Sequence, residues 1–157
     1  MTDLFPDVPN VGDVQIDIVS ESFKAQNAIT KGQLVKISTH TAGEISSVDV
    51  AGAGDKAIGM AKKTVVAGEQ VPVLRLGKAK LTAGGAITTG AAIKAGANGK
   101  AVAAVRTVTI PTGGTTVTST SAQPSMTVEG GLACGTANQT TTADLDTFLA
   151  DINGYAP

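Results

Sequence analysis

A nine-residue phrase occurs twice in this chain, 58 positions apart: Ala28-Ile-Thr-Lys-Gly-Gln-Leu-Val-Lys36 and Ala86-Ile-Thr-Thr-Gly-Ala-Ala-Ile-Lys94. Ala, Ile, Thr, Gly and Lys recur in register, and Val35 is matched by Ile93. Each copy runs through a glycine turn into a second β-like stretch, at 43–48 and at 99–105. A repeated small β-unit predicts hairpins that close on one another, so most of the chain is scaffold.

The flanking pattern extends the same reading. Alternation starts a strand at Val14, and 33–38, 45–50, 57–61, 70–76 and 78–82 read as further short strands. Pro72 lacks an amide donor, which places its strand at an edge or a bulge. Short strands with turns every eight to twelve residues or so favour a small barrel or sandwich. One helix is predicted over 142–152, because Leu145, Phe148, Leu149 and Ile152 fall at i, i+3, i+4 and i+7. Thr141 or Thr142 would cap it, and Asp144 and Asp146 suit its positive end.

At 157 residues this is one domain with a real core. Its aromatics are only Phe5, Phe23, Phe148 and Tyr155, so the core has to come from Val, Ile, Leu and Ala. Charged residues make up 16%, below the usual quarter. Either much of the surface meets other protein, or a Thr-rich surface solvates itself with hydroxyls.

Charge is segregated along the chain. Asp3, Asp7, Asp13, Asp17 and Glu21 stand in 1–21 without a basic residue. All twelve Lys and Arg lie in 22–106, against Glu44, Asp49, Asp55 and Glu69. Glu129, Asp144, Asp146 and Asp151 follow in 107–157, again unopposed. Acidic ends around a basic middle either fold back on it or meet complementary neighbours. The lysines are scattered and no aromatics interleave with them to stack bases, so direct nucleic-acid binding is not expected.

Two segments differ from the body. Residues 1–15 combine Pro6, Pro9 and Gly12 with acids and a few apolar points, which reads as an extended arm or a frayed end. The candidate contact residues there are Leu4, Phe5, Pro6, Val8 and Val11, apolar or rigid groups suited to docking on a sheet edge or groove. Residues 107–128 are uncharged and rich in Ser and Thr, with Gly113-Gly114 between β-branched flanks. A projecting hairpin insert is the reading, with a flexible linker as the alternative. The remaining body, 16–157, is a single β-rich domain.

Little looks like chemistry. His40 is the one histidine, and its setting in 38–42 reads as a turn; no catalytic or metal site can be built around it by motif. The glycine-rich 51–56 lacks the Gly-Lys-Ser/Thr ending and the helix of a phosphate cradle. Asp13 and Asp17 lie roughly 13 Å apart along a strand, too far for a retaining carboxylate pair. Cys134 is alone, which excludes an internal disulfide and points to a small buried side chain. No basic start leads into an apolar run and no stretch is long enough to cross a bilayer, so the expectation is a protein made in the cytoplasm, with no membrane partner and no cofactor.

The succession of 28–35, Ala57-Ile-Gly-Met-Ala61, Ala67-Gly-Glu-Gln-Val-Pro-Val73, Gly77, 83–90 and Ala97-Asn-Gly-Lys-Ala-Val102 resembles the capsid cement, or head decoration, proteins of tailed phages. Within this likeness, 131–137 takes the role of 57–61. The resemblance implies a compact β-fold of the tulip or clip kind. It also implies a structural, non-enzymatic virion protein on the outside of an expanded capsid, contacting the major capsid protein, often as a homotrimer. The N-terminal segment commonly engages the shell in that family, which makes the arm the expected contact. Competing readings are another virion component, such as a fibre base or minor head or tail protein, and a small enzyme or sugar-binding β-domain. The last lacks the aromatics that usually stack on sugar rings.

Overall fold

The computed structural model describes residues 16–39, 42–104 and 133–154. Nine strands frame these residues: β1 (Ile16–Ala25), β2 (Leu34–Thr39), β3 (Ser47–Val50), β4 (Gly59–Ala61), β5 (Gln70–Gly84), β6 (Ala92–Ala95), β7 (Ala101–Ala103), β8 (Gly135–Ala137) and β9 (Asp144–Asn153). Their order is β1-β3-β2-β4-β5-β7-β6-β8-β9, and β1 and β9 each pair with β5 as well. The sheet therefore closes twice. One ring runs β1-β3-β2-β4-β5, the other β5-β7-β6-β8-β9, and the long strand β5 belongs to both.

The repeat seen in the sequence is this doubling. In the first ring Lys24 faces Gln70 and Ser20 faces Leu74 across an antiparallel ladder. In the second, Thr82 faces Thr147 and Lys78 faces Asp151. The shift between the rings is thus 58 positions on one strand and 77 on the other, in both pairs. Hydrogen bonds repeat as well. The Gly32 amide donates to the Ala61 carbonyl and the Gly90 amide to that of Ala137, both at 2.8 Å. Lys31 N donates to Thr64 Oγ1 at 3.0 Å, and Thr89 N donates to Thr140 Oγ1 at 3.1 Å. Isolated bridges join Ile29 to Val65 and Ile87 to Thr141. Residues 135–137 take the place in the second ring that 59–61 take in the first, as the sequence led us to expect.

Apolar side chains fill both rings. Phe23, Val35, Val48, Val71 and Val73 pack inside the first. Leu81, Ile93, Phe148 and Ile152 pack inside the second, in a cluster that also takes in Leu34, Met60 and Leu74 from strands of the first ring. Full burial of each such large side chain stabilises the fold by about 1.5–3 kcal/mol, and the shared cluster joins the rings into one body.

The mostly-β, small-barrel expectation holds, but the helix predicted over 142–152 does not form: the segment is β9. Phe148, Ala150 and Ile152 alternate into the second ring while Leu149 is buried on the opposite face. A strand apolar on both faces shows the same i, i+3, i+4 spacing as a helical stripe, and the ladder to β5 decides between them. Likewise 70–76 and 78–82 are not two strands but parts of the single β5. Pro72 lies at a ladder end. Its carbonyl accepts from Lys62 N at 2.9 Å, just past the Ala61–Val73 pair, so its nitrogen points to where β4 pairing stops.

Among the described residues, four acids from the two ends pair with the basic middle. Asp17 pairs with Lys62, Glu21 with Arg75 at 2.8 Å, Asp144 with Lys100 at 2.8 Å and Asp151 with Lys78 at 3.9 Å. The arm 1–15, the insert 107–128 and His40 lie outside the described residues.

Candidate interaction surface

Leu4, Phe5, Pro6, Val8 and Val11 lie outside the described residues, but the point where their segment joins the body is described. Ile16 opens β1 opposite Lys78, at the centre of β5 where β1 and β9 flank it together. An apolar groove of about 280 Å³ runs there, lined by Ile16, Ile18, Leu76, Gly77, Lys78, Asp151 and Ile152. Ile16 is 48% exposed and Ile18 65%. Ile16 and Ile18 share the outer face of β1 with Ser20, Ser22 and Lys24, opposite the buried Phe23 and Ala25, and a register shift beside Ile18 leaves it out of the ladder to β5. Alternation in the sequence marked the strand but not which of its two faces would be buried.

A second exposed apolar point closes the second ring. Leu145 is 64% exposed and has φ of 70°. Its neighbours are engaged within the chain. Lys100 Nζ donates to Asp144 Oδ1 at 2.8 Å, and Asp146 Oδ2 accepts from Thr142 N and Ala143 N, both at 3.0 Å. The hydrogen bond from Lys100 holds the Asp144 carboxyl below its ordinary value. The two backbone amides do the same for Asp146.

The remaining sequence candidates resolve into structure. Asp17 and Glu21 are ion-paired rather than gathered as a cluster. In the loop 51–56, Asp55 Oδ2 accepts from Gly52 N at 2.7 Å and pairs with Lys36 at 2.8 Å, so its own carboxylate fills the turn that resembled a phosphate cradle. These bonds, that to Lys36 first, lower the Asp55 pKa. Cys134 is buried, and desolvation pushes its thiol up to about 11, well away from the reactive thiolate. Among the described residues no group of three or more His, Cys, Asp or Glu could hold a metal ion. No described helix is long and apolar enough to cross a membrane. What these surfaces can do is adhere: apolar side chains on a rigid β-frame, flanked by charges already engaged.

A family described as phage cement protein matches residues 15–132. A search of curated proteins finds no match. Among solved structures the fold is similar to the head fibre gp8.5 N base in bacteriophage phi29, with 19% identity and a TM-score of 0.56, covering 88% of this chain and 97% of that one.

Proposed function

The chain belongs to the phage cement protein family, and from that premise we propose that it decorates the exterior of an expanded phage head and holds neighbouring capsomers together. The family match over 15–132 carries this reading. The apolar groove at the foot of the arm supports it. The major capsid protein is the partner, and residues 1–15 act as an arm that adds an extended segment to the shell, with Leu4, Phe5, Pro6, Val8 and Val11 as its contacts. Main-chain hydrogen bonds give such an arm affinity and its apolar side chains fill pockets.

No bond is made or broken in this function. Several modest contacts on one rigid body multiply through effective concentration. A ligand that binds only the assembled, expanded shell stabilises that state by mass action. The molecule works without cofactor, membrane or direct nucleic-acid contact, and three copies around a three-fold position are the arrangement we favour. Deleting 2–12 tests the arm: co-sedimentation with expanded heads is lost while the melting curve of the body stays unchanged. Undiminished binding would remove the arm from the mechanism.

A second reading has one observation in its favour. The phi29 protein of similar fold is the base of a head fibre, so this chain could seat a fibre instead. Copy number separates the two, since a cement covers the shell and a fibre base occupies special sites.

A further inference from the structure

The turn 65–69 of the first ring and the turn 141–146 of the second are counterparts, since Val65 bridges Ile29 as Thr141 bridges Ile87, and each is closed by an acidic side chain. Glu69 Oε2 accepts from Val66 N at 3.2 Å, and Asp146 Oδ2 accepts from the amides of Thr142 and Ala143. The second turn carries one residue more than the first, and counted back from the equivalent ladder residues Gln70 and Thr147, Leu145 stands where the first ring has Gly68. The backbone agrees, with φ of 87° at Gly68 and 70° at Leu145. Glycine adopts this left-handed region freely, whereas a bulky side chain is strained there. Burial does nothing to offset that strain, because Leu145 is one of the most exposed apolar residues of the described chain. The second ring thus keeps a strained, solvent-facing leucine where its twin shows that glycine suffices. Asp144 and Asp146 fix the turn on either side, so the leucine is presented on a rigid mount.

We propose that Leu145 is a shell-contact residue, seated in an apolar pocket of a capsid subunit. This rests on the decoration reading above. Strained residues cluster at binding sites, where the surrounding structure holds them in place. A preformed contact also loses little entropy on docking. Its place in the fold names the occupant. The arm leaves the body at the middle of β5, and Leu145 lies at that strand's far end, where Gly84 faces Asp144. Six residue steps from Lys78 to Gly84 separate the two points by roughly 20 Å along the strand. Two anchors so spaced on one body suit a partner that offers two sites, as a capsomer boundary does.

The test uses the full chain carrying Leu145→Gly, with Leu145→Asn as a second variant tolerant of left-handed backbone. Binding to purified expanded heads, thermal melting and sedimentation of the free protein are measured together. The expected result is a melting temperature equal to or above wild type, with affinity for heads at least tenfold lower. Wild-type head affinity in both variants would overturn the proposal. So would loss of self-association with head binding intact, because the occupant would then be a second copy of this chain. A wild-type chain that fails to bind heads would overturn the decoration reading and this inference together.

Discussion

Phe148 stands directly opposite Leu81 on the β5–β9 ladder, inside the second ring. The corresponding pair in the first ring is Phe23 opposite Val71, so each ring places one aromatic against one aliphatic but on opposite strands of the pair. With so few aromatics in the chain, these two rings of atoms are the largest single contributions to each interior. Replacing Phe148 by Ala empties a site that is 1% exposed. The expected loss is about 3–5 kcal/mol, read from the midpoint and slope of chemical denaturation. A loss under about 1 kcal/mol would mean that the second ring is not packed as described.

Gly59 and Gly135 occupy equivalent places on β4 and β8. A Cβ at Gly59 would overlap the Leu74 carbonyl oxygen, and one at Gly135 would overlap that of Asp151. Both obstacles are backbone, which cannot swing aside as a side chain does. Gly59→Ala and Gly135→Ala are each expected to cost about 1–3 kcal/mol or more, measured by thermal melting. Unchanged melting in either variant would contradict the close approach of these strands.

Acid should weaken the closing turn of the second ring. Asp144 and Asp146 have carboxyl pKa values below the ordinary 3.8 because Lys100 and the turn amides favour their charged forms. A depressed folded pKa contributes stability that is present above the unfolded value and is lost as pH falls through the folded one. The melting temperature is therefore expected to be level from about pH 8 to 5 and to fall below about pH 4. Asp146→Asn lowers it at neutral pH and flattens part of the acid-side fall. Identical profiles for variant and wild type would contradict the role given to these amides. Both carboxylates are exposed, so the effect is modest.

The doubled architecture was legible because turns have a strict grammar. Ile-Thr-x-Gly marks the entry to each ring, and the same amide-to-threonine and glycine-to-carbonyl bonds follow from it. The role of 135–137 could be read for the same reason. The closing strand could not, because Leu149 is buried on one face and Phe148, Ala150 and Ile152 on the other. An apolar strand enclosed on both sides loses its period of two, and Leu145 at a bend completes a false helical stripe. Nor does any short-range pattern announce that β5 continues unbroken through Gly77 to serve two rings. The interaction surface was harder still. Ile16 and Ile18 read as ordinary strand residues, and nothing in their own pattern shows that Phe23 and Ala25 take the inner face of β1 and leave the isoleucines on the outer one. Leu145 carries no local signal, and its oddity emerges when it is set beside Gly68 in the twin ring.

The central claim is adhesion to an expanded capsid, and cryo-electron microscopy of purified heads tests it most directly. Heads stripped of this protein and then incubated with it should gain density on their outer surface, in many copies, each touching more than one capsomer. Bare shells after incubation with excess protein, or density confined to a few special sites, would contradict the account.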